Sequence, residues 1–140
     1  MRATKESTYE LELVVGGDPS TAIEATYQSP GEVKEFIAKS LVPNSAVTVA
    51  HLRGGADLGN FIIFANATGI AHVRLLEHRG FYAKRSSEAF TGRTVQFVSD
   101  AGSLFEVDEV ATVQSGVAVE ALNYWLDSGE PLPSINWGEE

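Results

Sequence analysis

The stretch over residues 115–137 constrains the fold more than any other part of the sequence, because it carries a helix pattern and the signal that ends it. Apolar side chains recur along it at helical spacing and form one stripe: Ala118, Ala121, Leu122, Trp125 and Leu126. Gly129 stands where a left-handed C-terminal cap is needed, and Pro131 and Pro133 prevent the helix from continuing. The pattern predicts a helix with one face in a core. Its other face shows Glu120, Tyr124 and Asp127.

A second helix is predicted near the start of the chain, after a hairpin. Residues 9–15 alternate between apolar and polar side chains as a half-buried strand does, and a Gly-rich turn leads to a returning strand over residues 21–28. Ser29 is a good N-terminal cap, Pro30 suits the first helical position, and Glu32 completes a capping box. These signals predict a helix that begins directly after the hairpin.

The middle of the chain has the pattern of successive strands. Segments rich in β-branched and aromatic residues alternate with turns over residues 46–53, 60–65, 70–76, 81–84, 94–99 and 104–107. Many strands with only two helices predict an α+β fold, a largely antiparallel twisted sheet with two amphipathic helices packed on one face. A length of 140 residues suits a single domain over residues 1–140.

The charge is distributed unevenly along the chain. The net charge is −9, yet residues 1–93 hold ten acidic and ten basic residues, and residues 94–140 hold nine acidic residues and no Lys or Arg. An acidic surface repels nucleic acid and anionic membranes and attracts basic proteins, so we expect a basic protein partner rather than a nucleic acid or a membrane. The alternative is an acidic surface that serves only solubility.

The expected cellular compartment follows from features that the sequence lacks. No cysteine is present, which excludes disulfides and thiolate metal sites. The first fifteen residues contain no signal-peptide apolar region, and no apolar run reaches membrane-spanning length. We therefore expect a cytoplasmic protein.

A search for catalytic and metal-binding patterns finds little. His51, His72 and His78 do not have the spacing of a metal motif, and no nucleophile motif occurs. His51 and His72 could be neighbours across a sheet, so a small-ligand-binding or enzymatic α+β domain that uses this pair stays open as an alternative. The sequence otherwise predicts a protein that is not an enzyme and that needs no cofactor or metal.

The C-terminal stretch AVEALNYWLDSGEPLPSINW resembles the signature of immunity protein family one (Imm one), of bacterial polymorphic toxin systems. Its elements are an Ala-rich amphipathic helix over residues 118–126, then Ser128 and Gly129, then Pro131, and finally an apolar residue shortly before Trp137. The resemblance implies a non-enzymatic inhibitor that binds and neutralises a cognate toxin, often a nucleic-acid deaminase. The family has no catalytic residues to transfer to this chain.

Together, the charge and the resemblance predict a partner-binding surface. We expect an acidic surface to cover the basic nucleic-acid site of the toxin, with Tyr124 as anchor and carboxylates around it. The predicted surface comprises Glu106, Asp108, Glu109, Glu120, Tyr124 and Asp127. Trp137 is interpreted as a plug at the sheet edge, with a toxin contact as the alternative, and both a monomer and a structural homodimer stay open.

Overall fold

The structure is a computed structural model that describes residues 6–77 and 79–140. Its two α-helices are α1 (Pro30–Ser40) and α2 (Ser115–Ser128). Its strands are β1 (Ser7–Val15), β2 (Ile23–Tyr27), β3 (Ser45–Arg53), β4 (Ala56–Ala65), β5 (Ile70–Leu76), β6 (Gly80–Lys84), β7 (Thr94–Val98), β8 (Leu104–Asp108), β9 (Val113–Gln114) and β10 (Asn136–Glu139).

Eight of these strands form one antiparallel sheet. The order across it is β10-β6-β5-β4-β3-β1-β2, with the short strand β9 paired to the start of β5. The remaining two strands, β7 and β8, form a separate hairpin. The predicted α+β class is therefore confirmed, including the antiparallel twisted sheet.

Local signals in the sequence determine where both helices begin or end. At the start of α1 the hydroxyl of Ser29 accepts a hydrogen bond from the Glu32 amide at 3.3 Å, and the Glu32 carboxylate accepts from the Gln28 amide at 3.3 Å. Ser29 and Glu32 thus cap the helix as the sequence predicts, although the carboxylate binds the amide of Gln28, one residue before the N-cap, and the Ser29 hydroxyl instead of the Ser29 amide. At the end of α2, Gly129 adopts a φ of 75° and donates to the Trp125 carbonyl at 2.8 Å. Only Gly adopts that backbone conformation without strain.

The main core lies between the two helices and one face of the sheet, which we call the helix face. Alternate strand residues point to this face, so each strand contributes its apolar set, such as Leu11, Val49, Phe61 and Val73. The helices add Val33 and Ile37 from α1 and the whole predicted stripe of α2: Ala118, Ala121, Leu122, Trp125 and Leu126.

The opposite side of the sheet, which we call the open face, is only partly covered. The β7–β8 hairpin packs over one end of it, where Phe97 and Phe105 contact His72 and Phe105 stacks edge-on against Phe64 at 4.9 Å between ring centroids. The hairpin tip approaches the β1–β2 turn so closely that a Cβ atom on Gly17 would lie 2.4 Å from the Gly102 Cα atom. Glycine at position 17 is required for this contact.

The chain ends in a strand that the sequence pattern did not reveal. Strand β10 pairs with β6 and forms one edge of the sheet. Trp137 on this strand packs against the main core, and its indole N–H donates to the Leu132 carbonyl at 3.0 Å. The tryptophan thus closes the sheet edge, in line with its interpretation as a plug.

Candidate protein-binding surface

Asp108, one of the predicted partner-binding acids, caps a turn. Its carboxylate accepts hydrogen bonds from the amides of Val110, Thr91 and Gly92 and from the Thr91 hydroxyl. Desolvation alone would raise the pKa of Asp108, but these hydrogen bonds outweigh it and lower the pKa to about 2. Asp108 therefore holds the segment between β6 and β7 against the end of β8.

Glu109 and Glu106 differ in whether their carboxylates already form salt bridges within the protein. Glu109 forms salt bridges with Arg85 and Arg93, each at 3.1 Å, and the hydrogen bond from Arg93 is the largest cause that lowers the pKa of Glu109. Glu106 lies exposed on β8 and accepts a hydrogen bond from the Thr94 hydroxyl at 3.2 Å. Of these two acids, Glu109 already has its charge neutralised.

The three residues of α2 that were predicted to bind the partner lie on the helix side of the sheet. Tyr124 is 36% exposed, and Asp127 forms a salt bridge with Lys34 of α1 at 2.6 Å. Glu120 is exposed and shares a small cleft with Lys84 and Arg85. The six predicted residues are therefore not gathered into one acidic surface.

The two histidines of the alternative prediction point to opposite faces of the sheet. His51 lies on the helix side, stacked on Tyr9 at 4.7 Å between ring centroids and edge-on to Trp125. His72 lies on the open face beneath the β7–β8 hairpin. Burial lowers the pKa of both rings. The structure thus does not bring the two together, and His78 lies outside the described residues.

Four acidic residues that form no salt bridge with a described residue line a groove on the open face, which we call the acidic groove. It has a volume of about 570 Å³ and is lined by side chains of β1, β2 and β3 and by the tip of the β7–β8 hairpin. Its four acids are Glu10, Glu12, Glu24 and Asp100. None of the four forms a salt bridge with a described residue, and the described residues that line the groove include no base.

The strand register brings two of these acids directly opposite each other. Glu12 of β1 pairs in register with Glu24 of β2 on one side and with Thr48 of β3 on the other. Like charges at such a cross-strand position destabilise a sheet by roughly 0.2–1 kcal/mol. The fold thus carries a local electrostatic cost at the centre of the acidic groove.

Residues paired across neighbouring strands form a row on the open face that passes through Glu12. Along this row the side chains are acidic at the β2 edge and aromatic near the β10 edge. After the acids come Thr48, Ile62 and Arg74, and then Tyr82, whose ring lies against Gly138 of β10. Two apolar side chains near this face are unusually exposed, Phe90 at 67% and Leu104 at 63%. Large exposed apolar groups beside charges are typical of protein-binding surfaces.

Charge counted along the sequence does not show which acids have basic neighbours in the fold. The C-terminal acids meet the bases of earlier segments, in the pairs Glu109–Arg85, Asp127–Lys34, Glu139–Arg79 and Glu140–Arg74. Within the described part of the chain, the acids of β1 and β2 form no salt bridge. The signal for an acidic strand face was the alternation in β1, where Glu10 and Glu12 alternate with the buried residues Tyr9, Leu11 and Leu13.

Comparisons with known protein families and with curated proteins identify no relative. No model of a known protein family matches this chain, and no curated protein matches it.

Within residues 6–77 and 79–140, no group of three or more His, Asp or Glu side chains is placed to hold a metal ion. Neither described helix is long and apolar enough to cross a membrane.

Proposed function

We propose that this chain is a cytoplasmic immunity protein that binds a basic protein toxin and blocks its nucleic-acid site, without catalysis of its own. The observation that carries the proposal is the acidic groove, in which four carboxylates gather and no described lining residue is a base. A toxin that acts on DNA or RNA needs a basic surface for the phosphate backbone, and an array of carboxylates is complementary to that surface. A deaminase-type toxin fits the C-terminal resemblance.

The like-charged pair supports a binding role over simple solubility. Solubility is served by acids at any exposed position, and it gives no reason to place Glu12 and Glu24 directly opposite each other. A basic partner would neutralise both carboxylates at once, so the repulsion in the free protein would turn into attraction in the complex. The exposed Phe90 and Leu104 would supply apolar contacts on the same side of the sheet.

The direct test is a titration of toxin activity. The proposal predicts that a gene beside the one for this chain encodes a secreted protein with a C-terminal toxin domain. Deamination of DNA and RNA by that domain is measured while this chain is added. We expect inhibition that is complete at a fixed stoichiometric ratio, because a binding inhibitor is consumed as it acts. Inhibition at far lower ratios would indicate an enzyme, and no inhibition would contradict the proposal.

A further inference from the structure

A second cleft on the open face has a different chemistry from the acidic groove. It has a volume of about 290 Å³ and lies where the loop between β6 and β7 and the end of β8 pass over β5 and β6. We call it the aromatic cleft. It is lined by His72, Tyr82, Phe90, Val107, Asp108, Ala111 and Glu140.

The charged groups of this cleft are already satisfied. The Asp108 carboxylate accepts four hydrogen bonds from Val110, Thr91 and Gly92, and the Glu140 carboxylate is held by two nitrogen atoms of Arg74. Neither carboxylate therefore needs a cation from a ligand. The walls that remain are aromatic or aliphatic, and a neutral, mainly apolar group fits them.

One polar atom of the cleft, Nε2 of His72, has no hydrogen-bond partner among the described residues. His72 is 7% exposed, and its Nδ1 atom lies 2.8 Å from the Ala111 carbonyl oxygen. A carbonyl oxygen only accepts, so Nδ1 carries the proton and Nε2 of the neutral ring is an acceptor. Among the described residues the only fully buried side-chain N or O atom without a hydrogen bond is Asn123 Oδ1, so Nε2 of His72 stays accessible to water in the free protein. A ring that covers Nε2 excludes that water, and only a ligand that brings a donor then avoids leaving a buried acceptor unpaired.

We propose that the aromatic cleft binds a planar aromatic group with a single N–H or O–H donor, an indole or a phenol, presented by a tryptophan or tyrosine of the protein partner. The ring packs between Tyr82 and Phe90, and its donor reaches Nε2 of His72. Tryptophan and tyrosine are the residues that most often anchor protein interfaces in such pockets. The source of the ring rests on the proposed function, whereas the chemistry of the cleft does not.

Small probes test the cleft without the partner. Indole and benzofuran have nearly the same shape, but benzofuran has an oxygen atom in place of the N–H donor. Their binding is followed by NMR through the ¹⁵N signal of His72 Nε2, which avoids replacing a buried residue. We expect indole to shift that signal and to bind about five- to a hundredfold more tightly than benzofuran, since only indole satisfies the acceptor. Equal binding of the two probes, or an unchanged His72 signal, would overturn the proposal.

Two further experiments test where indole binds and whether the bound ring can come from a protein side chain. Phe90→Ala should weaken indole binding, whereas Leu104→Ala, at a similarly exposed residue that does not line the cleft, should leave it unchanged. N-acetyl-tryptophan amide should also shift the His72 signal, because it presents the indole on a peptide backbone. If indole binds and this amide does not, the cleft serves a small aromatic molecule, and the assignment to a partner side chain fails while the proposed toxin inhibition stands.

Discussion

Single residues in this protein show how a carboxylate can serve either structure or binding. Asp108 accepts four hydrogen bonds and connects two chain segments, whereas Glu12 has no described partner and faces another carboxylate. Both are acidic residues on paired antiparallel strands, and composition alone does not distinguish them. Their removal should therefore change stability in opposite directions.

Replacing Asp108 with Asn should lower the melting temperature at neutral pH. Asn keeps one acceptor oxygen, but its amide nitrogen meets the donors that the carboxylate now binds. The pKa of Asp108 is about 2 in the folded protein, below the ordinary value of 3.8, so the ionised group stabilises the fold above about pH 3.8. That contribution is lost as the pH falls towards 2. Melting curves of parent and variant from pH 2 to pH 7 should thus converge at the acidic end. A difference that is constant over this range would contradict the assigned role.

Replacing Glu12 with Gln should raise the stability of the free protein by about 0.2–1 kcal/mol at low salt, since it removes a like-charged cross-strand pair. The gain should shrink as salt screens the repulsion. Chemical denaturation at two salt concentrations measures both effects. Glu130→Gln is the matched control, because Glu130 is exposed just after the end of α2 and belongs to none of the described strands. A loss of stability in the Glu12 variant would show that this carboxylate has a stabilising role.

At the scale of elements, local signals explain the parts of the fold that the sequence predicts. The helix cap at Ser29, the glycine at position 129 and the apolar stripe of α2 each act within a few residues, and each is found where the pattern places it. Strands β7 and β8 also match predicted segments, but their separation from the main sheet and the pairing of strand β10 depend on contacts between distant segments, which periodicity does not encode. The acidic groove was missed for the same reason, because it depends on the register of three strands and on the approach of a hairpin tip.

The two tryptophans should differ in how much they stabilise the elements that hold them. Trp125 of α2 is buried in the main core, so Trp125→Ala should cost about 3–5 kcal/mol. Trp137→Phe keeps an aromatic ring at the sheet edge and loses the hydrogen bond to Leu132, which should cost about 1 kcal/mol. Urea denaturation of both variants tests this order. Equal losses would mean that β10 contributes as much to stability as the main core does.

At the scale of the whole molecule, the sheet separates stability from the proposed recognition. Its helix face holds the main core, and its open face carries the acidic groove and the aromatic cleft on either side of the β7–β8 hairpin. The sequence prediction assigned recognition to α2 together with Glu106, Asp108 and Glu109. On α2, Asp127 is paired with Lys34, and Glu120 lies beside Lys84 and Arg85. The α2 part of the predicted surface and the acidic groove lie on opposite sides of the sheet, so an experiment can distinguish recognition by α2 from recognition by the groove.

The decisive measurement compares two charge reversals in association kinetics with the toxin domain at several salt concentrations. One variant carries Glu12→Lys and Glu24→Lys in the acidic groove, and the other carries Glu120→Lys and Glu130→Lys on the helix side. The charge change is the same in both, and the groove variant keeps a like-charged pair, so its fold is not relieved of repulsion. We expect the groove variant to associate about tenfold or more slowly at low salt, with a flattened salt dependence, and the helix-side variant to match the parent. Slow association of the helix-side variant, with a groove variant that binds like the parent, would contradict the assignment of recognition to the open face.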